Sequence, residues 1–338
     1  MPRLGIVGTL VWDTIRARDV GREGPVHEWG GIAYALAAAD VALGREWTLF
    51  PIIKIGQDMR EAADVFLGSL ARLDSLDGAR TVPEPNNRVE LLYRDDARRC
   101  EKLTGGVPGW TAEELLPLAR SCDAIYVNFI AGWELDLPAA AALRSAAAGT
   151  VYADLHSLML GLGPDGLRSP RPLADWRVWL SCFDIVQLNE DELGTLAAGW
   201  DDPWALAADV VGPLTRGLLV TLGDRGSAWV ATRSFWQAPT GPRPPLDALE
   251  PAEALVSGKV EPEASIEGGD PTGCGDVWGA TCFASMLAGE DLEASMRVAT
   301  RAAERNAGFR GASGLGEHLR SESGLLTGAA RRSRPGPA

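Results

Sequence analysis

Residues 268–289 read GGDPTGCGDVWGATCFASMLAG, and the rest of the chain is best understood from this stretch outward. Gly273 and Gly275 permit tight backbone turns, after which Val277, Thr281, Ala284 and Leu287 recur at helical spacing. The pattern predicts a helix beginning near Gly275. Its unpaired amides and positive dipole end would face whatever sits before the turn, which suits a phosphoryl group and its developing charge. Asp276 falls in the first turn, where ionisation is favoured, and is placed to take a proton from an attacking hydroxyl. Read alone, the same residues also make an ordinary turn ahead of an ordinary N-terminal helix charge.

Outward from this turn, short aliphatic or β-branched runs recur between turn residues, at 4–12, 47–53, 124–129, 150–154, 184–188 and 217–222. Helix-forming stretches rich in alanine and leucine lie between several of them. After Gly30 and Gly31, the residues Ile32, Leu36, Ala39 and Leu43 trace one buried helix stripe. Strands alternating with such helices predict an α/β fold with a mostly parallel sheet covered on both faces. Residues 14–29 and 81–107 are polar and lack helical period, with a strand-like RVELLYR at 88–94, and are expected to form a small β lid. The proline- and acid-rich tract 239–262 reads as a surface insertion, and residues 321–338 as a flexible tail, leaving one domain over 1–320.

The chain of 338 residues is 46% apolar, enough to fill a real core. Its 32 basic and 46 acidic residues leave a net charge of −14, which repels phosphodiester backbones and anionic lipids. Nucleic acid and membrane surfaces are therefore excluded as expected partners. A small anionic ligand has to be gripped locally, by backbone amides and a metal ion. Cys100, Cys122, Cys182, Cys274 and Cys282 form no CxxC pair, and His27, His156 and His318 offer no zinc spacing. With no signal-like start and no apolar run near twenty residues, a cytoplasmic protein with reduced thiols is expected.

DPTGCGD at 270–276 resembles the D-T-x-G-A-G-D signature of the ribokinase-like, or PfkB, carbohydrate and nucleoside kinase family, with Cys274 in the usual alanine place. Further landmarks follow in the family's order between residues 3 and 316. Trp12-Asp13 stands where the family has a substrate-binding acid, and Gly30-Gly31 where paired glycines bring backbone against the substrate. Asn189 to Glu192 is similar to its N-x-x-E, Thr221 to Gly226 to its T-x-G-x-x-G nucleotide turn, and residues 302–306 to the helix beside its adenine pocket.

The resemblance implies a three-layer α/β/α core with a β lid, and an ATP- and Mg2+-dependent phosphotransferase. The acceptor would be a hydroxyl, expected to be primary, of a sugar, polyol or nucleoside. Asp276 would be the general base, with Gly273, Cys274 and Gly275 holding the transferred group. Asp13, Gly30 and Gly31 would bind the acceptor. Asn189, Thr221, Gly223, Gly226 and Asn306 would serve the nucleotide, and Glu192 and Asp154 the metal. Edge-strand pairing through the lid would give a homodimer.

Three positions depart from the family pattern. Ala35 stands where many of its sugar kinases carry a substrate asparagine, which weakens ribose and fructose as acceptors. In Asp154-Leu155-His156-Ser157-Leu158, His156 and Leu158 replace the polar pair of D-x-N-x-R; His156 is expected as a hydrogen-bonded pocket or core residue. Trp12 or Trp29 is a candidate for stacking on a substrate ring. A dinucleotide-binding loop is missing, since residues 5–10 read GIVGTL, and Ser257-Gly258-Lys259-Val260 supplies no P-loop. A non-catalytic ligand-binding or regulatory protein of the same fold is the remaining alternative.

Overall fold

The computed structural model describes residues 1–15, 26–93, 99–241, 253–263 and 269–321. Parts of the expected lid (16–25 and 94–98), residues 242–252 of the 239–262 tract and the tail beyond 321 thus lie outside the described residues. The strands among those described are β1 (Arg3–Ile15), β2 (Val26–Gly31), β3 (Thr48–Gly56), β4 (Ala79–Val82), β5 (Arg88–Tyr93), β6 (Arg99–Thr104), β7 (Ala124–Asn128), β8 (Val151–Asp154), β9 (Leu160–Leu162), β10 (Arg168–Pro170), β11 (Ile185–Asn189), β12 (Gly217–Thr221), β13 (Ser227–Thr232) and β14 (Leu255–Val260). The helices are α1 (Ile32–Ala42), α2 (Arg60–Gly68), α3 (Ala112–Ala119), α4 (Leu137–Ala146), α5 (Trp176–Ser181), α6 (Glu190–Leu196), α7 (Pro203–Val210), α8 (Arg233–Gln237), α9 (Cys274–Leu287), α10 (Leu292–Ala307) and α11 (Leu315–Ser321).

The main sheet runs β14-β13-β12-β11-β8-β7-β1-β3-β4. Every neighbour pair from β12 to β4 is parallel, whereas β13 pairs antiparallel with both β12 and β14. Strand alternation sends Ile6, Tyr126, Tyr152 and Ile185 to one face, beneath α1, α9, α10 and α11. It sends Val7, Val127, Val151 and Val186 to the other, beneath α3, α4, α6 and α7. These are the three layers implied by the sequence. Burying each large aliphatic side chain stabilises the fold by roughly 1.5–3 kcal/mol, so the two apolar faces dominate the architecture. In α1 every residue from Ile32 to Asp40 is buried, because the helix is enclosed by the sheet, α9 and α11.

Beyond Leu10, β1 leaves the main sheet. Leu10–Ile15 pairs antiparallel with β2, Trp12–Ile15 pairs in parallel with β5, and β5 pairs antiparallel with β6. These segments form the small β lid, and Val11, Val89, Leu91, Leu103 and Ala131 cluster on its inner side. Both flanks of the lid are tied to the body. Leu103 N donates to Gly166 O at 2.8 Å, and Ala312 N donates to Trp29 O at 2.9 Å. Gly166 belongs to the connection of the β9–β10 hairpin, which lies against β6.

The 239–262 tract, taken for a surface insertion, supplies β14, an edge strand of the main sheet paired with β13 from Leu255 to Val260. Val256, Gly258 and Val260 alternate with the exposed Leu255, Ser257 and Lys259, and Gly258 has no room for a Cβ against the Trp229 ring. The surrounding prolines and acids hid this alternation.

Candidate active site

Helix α9 starts at Cys274, one residue before its predicted start. Gly273 precedes it in the left-handed region, at φ +75°, and a Cβ there would overlap the Tyr34 ring. Asp270 shapes the approach: its Oδ1 accepts from Thr272 N at 3.0 Å and from Thr272 Oγ1 at 2.7 Å. Asn306 of α10 is buried and donates from Nδ2 to Thr272 O at 2.9 Å, with Cys274 Sγ at 3.4 Å. It therefore braces the glycine turn. Asp276, in the first turn of α9, accepts a 2.6 Å hydrogen bond from Asn128 Nδ2, a residue at the carboxyl end of β7.

Gln187 on β11 joins this turn to its neighbours. Its Nε2 donates to Asp154 Oδ2 at 2.9 Å and to Gly275 O at 3.1 Å, while Oε1 accepts from Tyr152 OH at 2.8 Å. Burial pushes the Asp154 carboxyl up to about 8; the nearby charges of Glu192 and Asp276 act in the same direction and His156 opposes them. For His156, burial pulls downward but is outweighed by Glu192, whose Oε1 lies 2.5 Å from Nδ1, and by Asp154 and Glu101; the ring is raised to about 9. The His156 side chain is 43% exposed, so water screens part of that attraction.

Glu192 also closes a capping box on α6. Its Oε2 accepts from Asn189 N at 2.8 Å and its Oε1 from Asn189 Nδ2 at 2.6 Å, while Asn189 Oδ1 accepts from Glu192 N at 2.9 Å. The carboxylate expected beside magnesium thus secures a helix start and a histidine. Among the described residues no group of three His, Cys, Asp or Glu side chains could hold a metal ion. Magnesium commonly keeps several waters and takes only one or two carboxylates besides substrate phosphates. Asp154, Asn189 and Glu192 fit such a role through water, and do not form a protein cage.

Toward the lid, Asp13 is buried on β1 and its carboxylate lies directly over Gly30, where a Cβ would overlap it. Gly31 has φ +59°, and its Cβ would stand 2.9 Å from both Val11 and Ile130. Tyr34 lines the same space; burial raises its phenol well above the usual range, reinforced by Asp13, Asp270 and Asp276. Ala35 is wholly enclosed in the core. Trp12 and Trp29, the candidates for stacking on a substrate ring, pack edge to face against each other at 5.0 Å, Trp29 also meets Phe66, and neither lines the cavity. At the other end, Thr221 closes β12 and pairs with Ser227, while Gly223 at φ +62° and Gly226 at φ +85° turn the hairpin.

A single cavity of about 560 Å3 runs between these ends. It is lined by Asp13, Gly31, Asp154, Asn189, Glu192, Thr221, Gly223, Gly226 and the four residues Gly273 to Asp276. Two of the expected site residues, Gly30 and Asn306, stand behind the wall. Sequence reading missed Asn128 and Gln187, although each is a polar residue in an otherwise apolar parallel strand near its carboxyl end, where ligands of such sheets bind.

No protein-family model matches the sequence, and no curated protein matches it either. Solved structures match over nearly the whole chain. The ribokinase of Thermotoga maritima has a TM-score of 0.69 at 14% identity, covering 95% of this chain and 99% of that one. The ribokinase of Arabidopsis thaliana, complexed with ribose and ATP, has a TM-score of 0.66 at 20% identity, with 96% and 99% covered. The nucleoside kinase of Burkholderia thailandensis, in complex with inosine, has a TM-score of 0.66 at 16% identity, with 95% and 97% covered. With its mostly parallel sheet between two helical layers and its small β lid, this chain has the ribokinase-like fold.

Proposed function

We propose that this protein transfers the γ-phosphoryl group of ATP to a hydroxyl of a sugar, polyol or nucleoside. The observation that carries this reading is that one cavity is lined at once by Asp13 and Gly31, by the glycine turn with Asp276, and by the β12–β13 turn. The structures of this fold named above, with ribose and ATP or with inosine, support the same class of reaction.

In this mechanism Asp13 and the backbone at Gly31 hold the acceptor, with Gly30 leaving room for the Asp13 carboxylate, and Asp276 removes the proton of the attacking hydroxyl. The oxygen–phosphorus bond to the acceptor forms as the bond to the β-phosphate oxygen breaks, releasing ADP. Amides of Gly273, Gly275 and Asp276 face the equatorial oxygens and stabilise their charge, while Cys274 N donates to Pro271 O at 3.1 Å and holds the turn. Asn128 orients the Asp276 carboxylate, and Gln187 fixes the first turn of α9 through the Gly275 carbonyl. Thr221, Gly223 and Gly226 receive the nucleotide, with Ala303 and Ala307 of α10 also lining that end. Magnesium, positioned through water by Asp154, Asn189 and Glu192, would supply charge neutralisation on the phosphates.

Asp276→Asn is expected to lower turnover about 10²- to 10⁴-fold, the usual weight of a general base, while calorimetry shows near-normal ATP binding. An undiminished turnover number removes Asp276 from this role. A second reading, ligand holding without turnover, is favoured by the engagement of both Glu192 oxygens with Asn189 and His156. ADP release with a panel of sugars, polyols and nucleosides decides between them.

A further inference from the structure

The inner surface of the lid has a readable order. Val89 is the register partner of Asp13 across β1 and β5, and Glu101 is the partner of Leu91 across β5 and β6. Val11 and Asp13 share a face on β1, as Val89 and Leu91 do on β5, because alternate strand residues point the same way. All five of these side chains belong to residues lining the cavity. Crossing the lid from Asp13, one meets an acid, then a band of aliphatic side chains, then a second acid. The two acids are separated by two interstrand spacings and two residues of rise, roughly 10–12 Å between Cα atoms.

Arg168 stands behind the far acid. It begins β10, and its side chain is only 5% exposed although the residue lines the cavity. Its Nη1 donates to Ile130 O at 2.8 Å and its Nη2 to Ala131 O at 3.2 Å, and Nη1 lies 4.0 Å from Glu101 Oε2. Ile130, whose carbonyl is thereby fixed, completes the aliphatic band from the other side. A guanidinium and a carboxylate side by side offer both donors and an acceptor.

We infer that Arg168 and Glu101 determine the acceptor, which is a nucleoside: its sugar hydroxyls sit at Asp13, its base lies on Val89, Leu91 and Ile130, and the polar edge of the base meets Arg168 and Glu101. This assignment rests on the phosphotransfer reading only for the direction of the acceptor hydroxyl. A sugar or polyol extended between the two acids would leave its middle hydroxyls against aliphatic side chains, where their lost hydration is not repaid. A planar base suits that band, because its faces are apolar and its hydrogen-bonding groups are confined to its edge.

The test is binding of inosine, adenosine, cytidine and ribose, measured by calorimetry on the full chain with a non-hydrolysable ATP analogue and magnesium. At least one nucleoside is expected to bind ten times or more tightly than ribose. Glu101→Gln and Arg168→Lys should each erase about tenfold of that preference, the usual weight of a charged hydrogen bond, while the affinity for the ATP analogue stays constant. Arg168→Lys keeps the charge but loses the planar fork, so it separates base reading from simple charge. Ribose binding as tightly as every nucleoside, or an undiminished preference in both variants, overturns the inference. Turnover is read separately: nucleoside binding with no ADP release sinks the phosphotransfer reading and leaves this one standing, whereas phosphorylation of ribose without nucleoside binding does the reverse.

Discussion

Gly273 shows how much one residue can carry. Its positive φ starts α9 at the right angle, and its missing side chain lets the Tyr34 ring press against the turn. Gly273→Ala is expected to cost about 2 kcal/mol or more, from left-handed strain together with overpacking. Urea unfolding measures this, and a midpoint equal to wild type contradicts it. Asp154 and His156 carry the pH response. Both are raised, so between 3.8 and about 8 for Asp154, and between 6.5 and about 9 for His156, the folded chain keeps a proton that the unfolded chain has lost. Stability from each group therefore falls as pH rises through its window. The charged or titratable neighbours acting on the pair are Glu192, Glu101 and Asp276. Calorimetric melting in metal-free buffer should decline from about pH 6.5 to about 9, and His156→Asn should flatten the upper part of that decline. At this scale the glycine turn stood out by its residue types and spacing, whereas Asp13 was singled out only by its place in the family resemblance. Asn128 and Gln187 were not, because an amide in a run such as AIYVN or IVQLN reveals its partner only once distant strands are aligned.

Elements show a different balance. Alternation and helical period located β1, β7, β8, β11, β12, α1 and α9 to within a few residues, since each buries a continuous apolar surface. β14 escaped because half of its positions are polar or exposed, as befits an edge. The loop after β7 was equally silent, yet its Ile130 lines the cavity. There the buried Glu134 carboxylate accepts from the amides of Ile130 at 2.9 Å, Ala131 at 2.5 Å and Gly132 at 2.9 Å. Burial raises this carboxyl, and the three amides pull it back. Glu134→Ala strands all three N–H groups, at about 1–3 kcal/mol for each that finds no water. A loss of at least about 3 kcal/mol in urea unfolding is expected, together with weaker acceptor binding. A loss under about 1 kcal/mol shows that water replaces the carboxylate.

Across the whole molecule, the lid is part of the body. Main-chain bonds from Leu103 to Gly166 and from Ala312 to Trp29 occupy sites on its two flanks. Pairing of lid edges between two copies, expected from the sequence, would have to displace bonds of this kind. Sedimentation equilibrium is accordingly expected to give the 35.9 kDa of a single chain, and a mass twice as large shows that another surface or a rearranged lid joins two copies. No helix among the described residues is long and apolar enough to cross a membrane.

The thirteen residues of β1 run without a break from the centre of the main sheet into the lid, and Asp13 rides on the outer half. A hinge at a loop would let a cover swing while the gripping carboxylate stayed still. Here the cover and the grip share one stiff lever, whose fulcrum is the sheet itself. In the proposed reaction, any tilt that opens the entrance would also draw Asp13 away from the acceptor, so unlocking and letting go would be the same movement.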